Sequence, residues 1–425
     1  MFPVHASVVP SQLQGRAARI AQDWLRSGRL SRDALSHVLP DLHVKVRSDP
    51  YFMYTAAGSR GAQLLPDAAG GREELRQMRA RDFFEQAERA APPYLYYTSP
   101  LQVLGDDVLS RAPSWEQLAL TSAKKQSVQG AIWAQLWACS GGGTTQAHYD
   151  VADNTFVQLE GVKDFYLFPP SAADALHVFP DSHPRARKAQ LNVEAPDMQL
   201  HPLAASLPTA RKVTLHPGEV LFIPAFWFHH VVSRSPTISI NVFSQSAVPL
   251  AAASLLAQPL PIPAQWPVDL KRRALTHLLD EILNSAPVDL VAAGSARELA
   301  DRLLQSRFAP LRQSGEISSE AAEPKVEVRR RRKELAEPPS WDDVAALISG
   351  YVEDCVFALR RLRQEVDDAG SADSAAERQD YYEGVCALLL CHLAEMHALR
   401  LYGDFGALHC SSERNLDFGV DTGRG

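Results

Sequence analysis

Three residues carry metal-binding side chains at a spacing that one face of a strand could use. His148 and Asp150 stand in His148-Tyr149-Asp150, and His229 follows 79 positions after Asp150 in the run Gly218-Glu-Val-Leu-Phe-Ile-Pro-Ala-Phe-Trp-Phe-His-His. Successive strand side chains alternate faces, so the intervening residue leaves imidazole and carboxylate pointing the same way. Two imidazoles and one carboxylate on one face of a metal are the donor set of non-haem Fe(II) oxygenases, which leaves three positions open. A His-x-Asp tripeptide alone also describes a hydrogen-bonded pair on any strand, so the surrounding residues decide between the two.

Those residues supply strands. Asn154-Thr-Phe-Val-Gln-Leu159 reads as one strand, Gly161-Val162 as a turn and Lys163-Asp-Phe-Tyr-Leu-Phe168 as the return, which predicts a hairpin. Lys163, Phe165 and Leu167 share a face, and two of the three are apolar, so the lysine is expected inside. Glu219 to Pro224 has the texture of a buried strand. Ile238-Ser-Ile-Asn-Val-Phe243 alternates, placing Ser239 and Asn241 on one face, and asparagine within a strand calls for a reason. Polar residues at such positions suggest a barrel whose interior holds a polar ligand. Of the neighbours His229 and His230, only one can face that interior.

Further out, Ala17, Ile20, Ala21, Trp24 and Leu25 follow the spacing of an amphipathic helix that Gly28 would end. Ser31 suits the N-cap of a short second helix, Leu42, Val44 and Val46 alternate as a strand, a helix opens at Asp82, and Tyr94-Leu-Tyr-Tyr97 reads as a strand. After Pro249 the texture turns helical, with stripes at Leu275 to Ile282, at Val344 to Leu359 behind an N-cap Ser340, and from Tyr381 to Leu399. Residues 312–339 have no apolar period and predict a flexible linker. It contains Arg329-Arg-Arg-Arg-Lys333, a solvated charge run or, alternatively, a nuclear-localisation or nucleic-acid element. The expected plan is a helical or mixed flank over 1–90, a barrel over 91–248, a helical extension over 249–311, the linker over 312–340 and a helical region over 341–425.

A chain of 425 residues, 46% hydrophobic and 22% charged, can bury a large core in two or three units. The net charge of -7 argues against a surface devoted to nucleic acid, although Arg185, Arg187, Lys188, Arg211 and Lys212 could form a local basic rim. The five cysteines include no C-x-x-C pair, so neither a disulfide framework nor a structural zinc site is signalled. The opening Met-Phe-Pro-Val-His-Ala-Ser lacks the basic and apolar regions of a secretory leader, and no apolar stretch approaches the roughly 20 residues of a membrane span. An intracellular chain, cytoplasmic or nuclear, without a membrane partner is expected.

Residues from about 80 to 248 resemble the JmjC (cupin-like) 2-oxoglutarate oxygenases. The branch in question holds the asparaginyl hydroxylase of hypoxia-inducible factor and the wybutosine tRNA hydroxylase. The first is similar at Ala147-His-Tyr-Asp, at Leu167-Phe-Pro-Pro and at His229-His230; the second at His148-Tyr-Asp-Val-Ala-Asp-Asn154 and at Val220-Leu-Phe-Ile-Pro-Ala-Phe-Trp-Phe-His. The resemblance implies a double-stranded β-helix of the cupin or jelly-roll class with flanking helices. It implies Fe(II), 2-oxoglutarate and O2 as cofactors, with His148, Asp150 and His229 as catalytic metal ligands; His230 would then lie behind the ligands or face substrate. Lys163 is implied as partner of the cosubstrate's 5-carboxylate, with Thr145, Asn154, Asn241 and Tyr94 also binding cofactor; Tyr96 and Tyr97 are alternatives to Tyr94. The implied activity is a dioxygenase hydroxylating a protein or peptide side chain. Alternatives are a wybutosine-type tRNA base hydroxylase, a histone lysyl demethylase and a non-catalytic cupin. Two features depart from both relatives: Val242-Phe-Ser244 follows Asn241 where they carry an aromatic pair ending in Trp, and residues past about 312 do not align. The C-terminal stripes must be buried on the barrel or on a second copy, and the asparaginyl hydroxylase suggests a homodimer.

Overall fold

The computed structural model describes residues 11–52, 73–89, 91–110, 114–119, 132–181, 183–257, 261–263, 266–285, 295–315, 339–369 and 374–402. The expected N-terminal elements form where their local chemistry puts them. Helix α1 (Ser11–Ser27) closes on Gly28, at φ 61, whose N–H donates to Leu25 O at 3.1 Å. Ser31 caps α2 (Arg32–Val38) by accepting from Ala34 N. Strand β1 (Leu42–Arg47) is followed by β2 (Tyr51–Phe52), β3 (Glu74–Met78), α3 (Ala80–Ala87), β4 (Tyr94–Pro100) and the one-turn α4 (Asp106–Leu109).

The barrel strands are β5 (Ile132–Cys139), β6 (Thr144–Tyr149), β7 (Asp153–Glu160), β8 (Lys163–Phe168), β9 (Arg211–Leu215), β10 (Val220–Ile223), β11 (Phe228–Ser233) and β12 (Thr237–Ser244). They lie in a seven-stranded sheet of order β10-β7-β12-β5-β4-β1-β3 and a five-stranded sheet of order β2-β6-β11-β8-β9. From β5 to β12 the chain passes from one sheet to the other at every step except β8 to β9, as in a double-stranded β-helix.

That winding corrects the hairpin expectation. β7 pairs with β10 and β12, whereas β8 pairs with β9 and β11, so the Gly161-Val162 turn carries the chain between sheets. The turn is held by distant residues: Val162 N donates to Ser235 Oγ at 3.0 Å and Arg234 N to Val162 O at 2.8 Å. Gly161, at φ 72, is required there, because a Cβ would stand 2.0 Å from Pro236 O.

Each sheet buries its outer face under helices. Leu136, Val157 and Ile240 of the larger sheet pack with Ala17, Trp24 and Phe83 of α1 and α3. Tyr149, Phe168 and Phe228 of the smaller sheet pack with helices α5 (Ala247–Leu256), α6 (Val268–Ser285), α9 (Trp341–Ala369) and α10 (Ala375–Tyr402). Each large aliphatic side chain so buried contributes about 1.5–3 kcal/mol, which docks these helices on their own barrel. The stripes that suggested a homodimer, among them Val344, Ile348, Leu359, Val385 and Leu389, are therefore covered within one chain. Ser340 caps α9 as expected, accepting from Asp343 N at 3.2 Å.

Between α6 and α9 lie α7 (Ala296–Leu303), a π-helical turn Leu304–Phe308 and α8 (Ala309–Gln313). Arg307 in the π turn is buried against Glu395 of α10 at 2.6 Å and Asp181 at 3.3 Å, and Asp181 N donates to Glu395 at 2.6 Å. The basic block Arg329 to Lys333 lies outside the described residues. Among the described residues, no helix is long and apolar enough to cross a membrane.

Candidate metal centre

His148, Asp150 and His229 converge inside the barrel, each offering one ligand atom, all within 4.8 Å of one another. β6 and β11 bring them together, because His148 and His229 are directly paired across the two strands and their ring centroids lie 4.1 Å apart. Both imidazoles are fixed alike. Nδ1 of His148 donates to Gln146 O at 2.8 Å and Nδ1 of His229 to Trp227 O at 3.2 Å, each a carbonyl two residues back. A carbonyl only accepts, so the proton sits on Nδ1 and the Nε2 lone pair is left to a ligand. His229 Nε2 stands 3.6 Å from Asp150 Oδ2.

Burial, and after it His229, push the His148 imidazole down to about 3, so the ring is neutral near pH 7. For Asp150 burial favours the neutral acid, but His229, His148 and Arg187 outweigh it and hold the carboxyl below its ordinary range. Two imidazoles whose Nε2 lone pairs are free, beside an ionised carboxylate, suit a divalent cation.

His229 rather than His230 faces the interior. Val231, two residues on, joins the inter-sheet core of Phe156, Phe165, Leu167 and Leu221, whereas His230 turns outward, fully buried, with Nε2 3.5 Å from Glu194 and its ring beside Tyr166. His230 is thus neither behind the ligands nor at the pocket. Thr145 stands three residues before His148, where strict alternation would oppose them. The pairing irregularity that sets Gln146 and Ala147 against His230 alone resets that parity: Thr145 and His148 are each partly exposed between buried neighbours, as Asp150 is partly exposed after buried Tyr149.

The asparagines form a chain of hydrogen bonds. Asn154 Nδ2 donates to Asp150 Oδ2 at 3.4 Å, Asn241 Nδ2 to Asn154 Oδ1 at 3.0 Å, and the Trp137 indole Nε1 to Asn241 Oδ1 at 2.8 Å. Trp137 was not singled out from sequence, although the alternation of Trp133, Gln135 and Trp137 along β5 marks it as facing one way. Lys163 is 4% exposed, lies 5.0 Å above the Phe156 ring, and forms no salt bridge among the described residues; burial lowers its amine to about 8. A buried cation without an anion beside it suits an anionic ligand. Tyr94 packs, half-buried, with Phe52, Tyr96 and Cys139, while Tyr97 faces the other way onto Phe83, which removes Tyr97 from the alternatives.

The basic rim is largely engaged elsewhere: Arg211 pairs with Glu377 at 3.1 Å, Lys212 with Asp164 at 2.9 Å, and Arg185 is buried over Phe179. Arg187 is exposed, and Lys188, bridged through its backbone to His148, is buried with Nζ on Ala186 O at 3.2 Å.

Several known proteins are similar in part. The tRNA wybutosine-synthesizing protein 5 of Mus musculus is 40% identical over 98 residues, 23% of this chain and 29% of that protein. Lysine-specific demethylase JMJ31 of Arabidopsis thaliana is 32% identical over 111 residues, 26% of this chain and 20% of that protein. HSPB1-associated protein 1 of Mus musculus is 38% identical over 113 residues, 25% of this chain and 22% of that protein. The chain thus matches less than a third of the length of each of these relatives. The model of the cupin-like domain matches residues 16–247, more than half of the chain and all of the barrel, and on that match and this winding the chain belongs to the cupin-like, JmjC-type family.

Proposed function

We propose that this protein is an Fe(II)- and 2-oxoglutarate-dependent dioxygenase that hydroxylates a protein side chain. The observation that carries the reading is the pairing, inside one barrel, of two imidazoles and a carboxylate with a buried lysine that has no anionic partner among the described residues. His148, Asp150 and His229 would hold the metal, and Lys163 the 5-carboxylate of 2-oxoglutarate, with Thr145 and Tyr94 as hydroxyl donors. When bound, iron with 2-oxoglutarate and O2 supplies the oxidising chemistry, converting the 2-oxo acid to succinate and carbon dioxide while one oxygen atom enters a substrate C–H bond. The chain's own part is to orient and to exclude water. The carbonyls of Gln146 and Trp227 keep both imidazoles in one tautomer, the asparagine pair steadies Asp150, and Phe156, Phe165 and Leu167 wall off solvent around the Lys163 amine.

A protein substrate is supported by the acidic net charge of -7 and by the engagement of Arg211 and Lys212 in ion pairs, which occupies two cations of the rim expected to meet a polyanion. A second reading, a tRNA base, is supported by the wybutosine-synthesizing relatives, and a third, a methylated lysine, by the demethylase relative. The buried thiols of Cys139, Cys355, Cys386 and Cys391 suit a reducing, cytoplasmic or nuclear, compartment. Anaerobic addition of Fe(II) and 2-oxoglutarate should give a weak visible charge-transfer band, and air should then give slow succinate release. Absence of both would sink the oxygenase reading. Succinate release stimulated by tRNA and not by a peptide library would replace the substrate.

A further inference from the structure

We propose that Trp137 is a positioning residue that fixes the orientation of Asp150 through Asn241 and Asn154, an inference that rests on the metal-site reading above. Trp137 comes from β5, and its indole N–H reaches Asn241 Oδ1 on the adjoining β12 at 2.8 Å. An indole only donates, whereas an ionised carboxylate only accepts. The two asparagines between them are 1% and 4% exposed, and either amide could be turned by half a revolution with little change of shape. The two ends settle the matter. A donor at Trp137 requires the oxygen of Asn241 toward it, so its NH2 meets the oxygen of Asn154 at 3.0 Å, and the NH2 of Asn154 meets Asp150 Oδ2 at 3.4 Å. A reversed chain would set N–H against N–H at Trp137 and oxygen against carboxylate at Asp150, and would leave the buried amides of Asn154 and Asn241 with unpaired polar groups, which is costly away from water.

Trp137 therefore does at a distance what the groups hydrogen-bonded to metal ligands do directly: it gives the amide pair one direction, so that an N–H meets Asp150 Oδ2, the oxygen 3.6 Å from His229 Nε2, and holds the carboxylate toward the imidazoles. It also packs against the inter-sheet core and Tyr96, with ring centroids 6.0 Å apart, so a purely structural role must be told apart from the positioning one.

The test is Co(II) affinity, by calorimetry on the full chain without cosubstrate, in a double-mutant cycle of W137F and N241L. W137F keeps an aromatic ring and removes the donor; N241L keeps volume and cuts the relay in its middle. Loss of one hydrogen bond predicts a roughly fivefold weaker affinity for W137F alone. N241L should weaken binding by about tenfold, as for partners of metal ligands. In the N241L background W137F should cost nothing more, since no path remains. An equal loss in both backgrounds, or wild-type affinity in W137F, overturns the positioning role and leaves the oxygenase reading standing. Absence of a Co(II) site in the wild type overturns both. Should W137F not fold, N241L decides alone, and wild-type affinity there defeats the relay.

Discussion

Replacing Lys163 by Met separates function from stability at one residue. The amine is 4% exposed, and burial lowers its pKa from 10.5 to about 8. At 1.36 kcal/mol per pH unit, carrying that charge costs the empty folded chain on the order of 3 kcal/mol. The cost is fully present below pH 8, where the folded amine is charged. It recedes between pH 8 and pH 10.5, where the folded amine has lost its proton and the unfolded one has not. Met has similar reach and no charge, so K163M should be more stable than wild type at pH 7 by up to about 3 kcal/mol, several degrees in Tm. The same change removes a charge-assisted hydrogen bond to the cosubstrate, worth about 1.5–3 kcal/mol, which raises the 2-oxoglutarate Kd by about 10- to 150-fold. Thermal unfolding of the Mn(II)-loaded protein, with and without 2-oxoglutarate, reads both effects. Wild type should gain about 2.7 kcal/mol at a hundred times its Kd, and K163M only about 0.3–1.4 kcal/mol at that concentration. If K163M is less stable than wild type at pH 7, or is stabilised as strongly by 2-oxoglutarate, the assignment of Lys163 is refuted.

Other consequences follow from the same geometry. The 2-oxoglutarate KM should rise above pH 8, by up to about tenfold per unit, as Lys163 loses its proton in the empty site; a flat profile from pH 7 to 10 would contradict this. H229A should abolish Fe(II) binding in equilibrium dialysis while H230A retains it, because only His229 faces Asp150 and His230 faces Glu194; the reverse outcome would move the site by one residue. R307M leaves Glu395 buried without its cation, with only His392 remaining beside Asp181 at 3.4 Å, and should destabilise by about 3–5 kcal/mol, visible as a lower urea midpoint.

The sequence by itself determined what depends on alternation and local capping. Asp150 follows His148 by two residues, Lys163 shares a face with Phe165 and Leu167, and Asn241 sits between Ile240 and Val242, so each side chain's face was legible from its own strand. Gly28, Ser31 and Ser340 announced helix ends because caps act within four residues.

Only the tertiary structure decided which strand meets which. The Gly161-Val162 turn looks like a hairpin from its own residues, yet β7 and β8 part into different sheets because β10 and β12 occupy both edges of β7, a choice made some 60 to 90 positions away. The role of Trp137 shows the same limit: alternation gives its face, but the partner that its N–H finds stands 104 residues distant. Arg307 was equally silent, since its two carboxylates come from positions 181 and 395. The apolar stripes of α9 and α10 required burial but could not say against what, and the smaller sheet's outer face answered. Periodicity fixes the direction of a side chain; what it meets there is set by which distant surfaces and charges burial brings together.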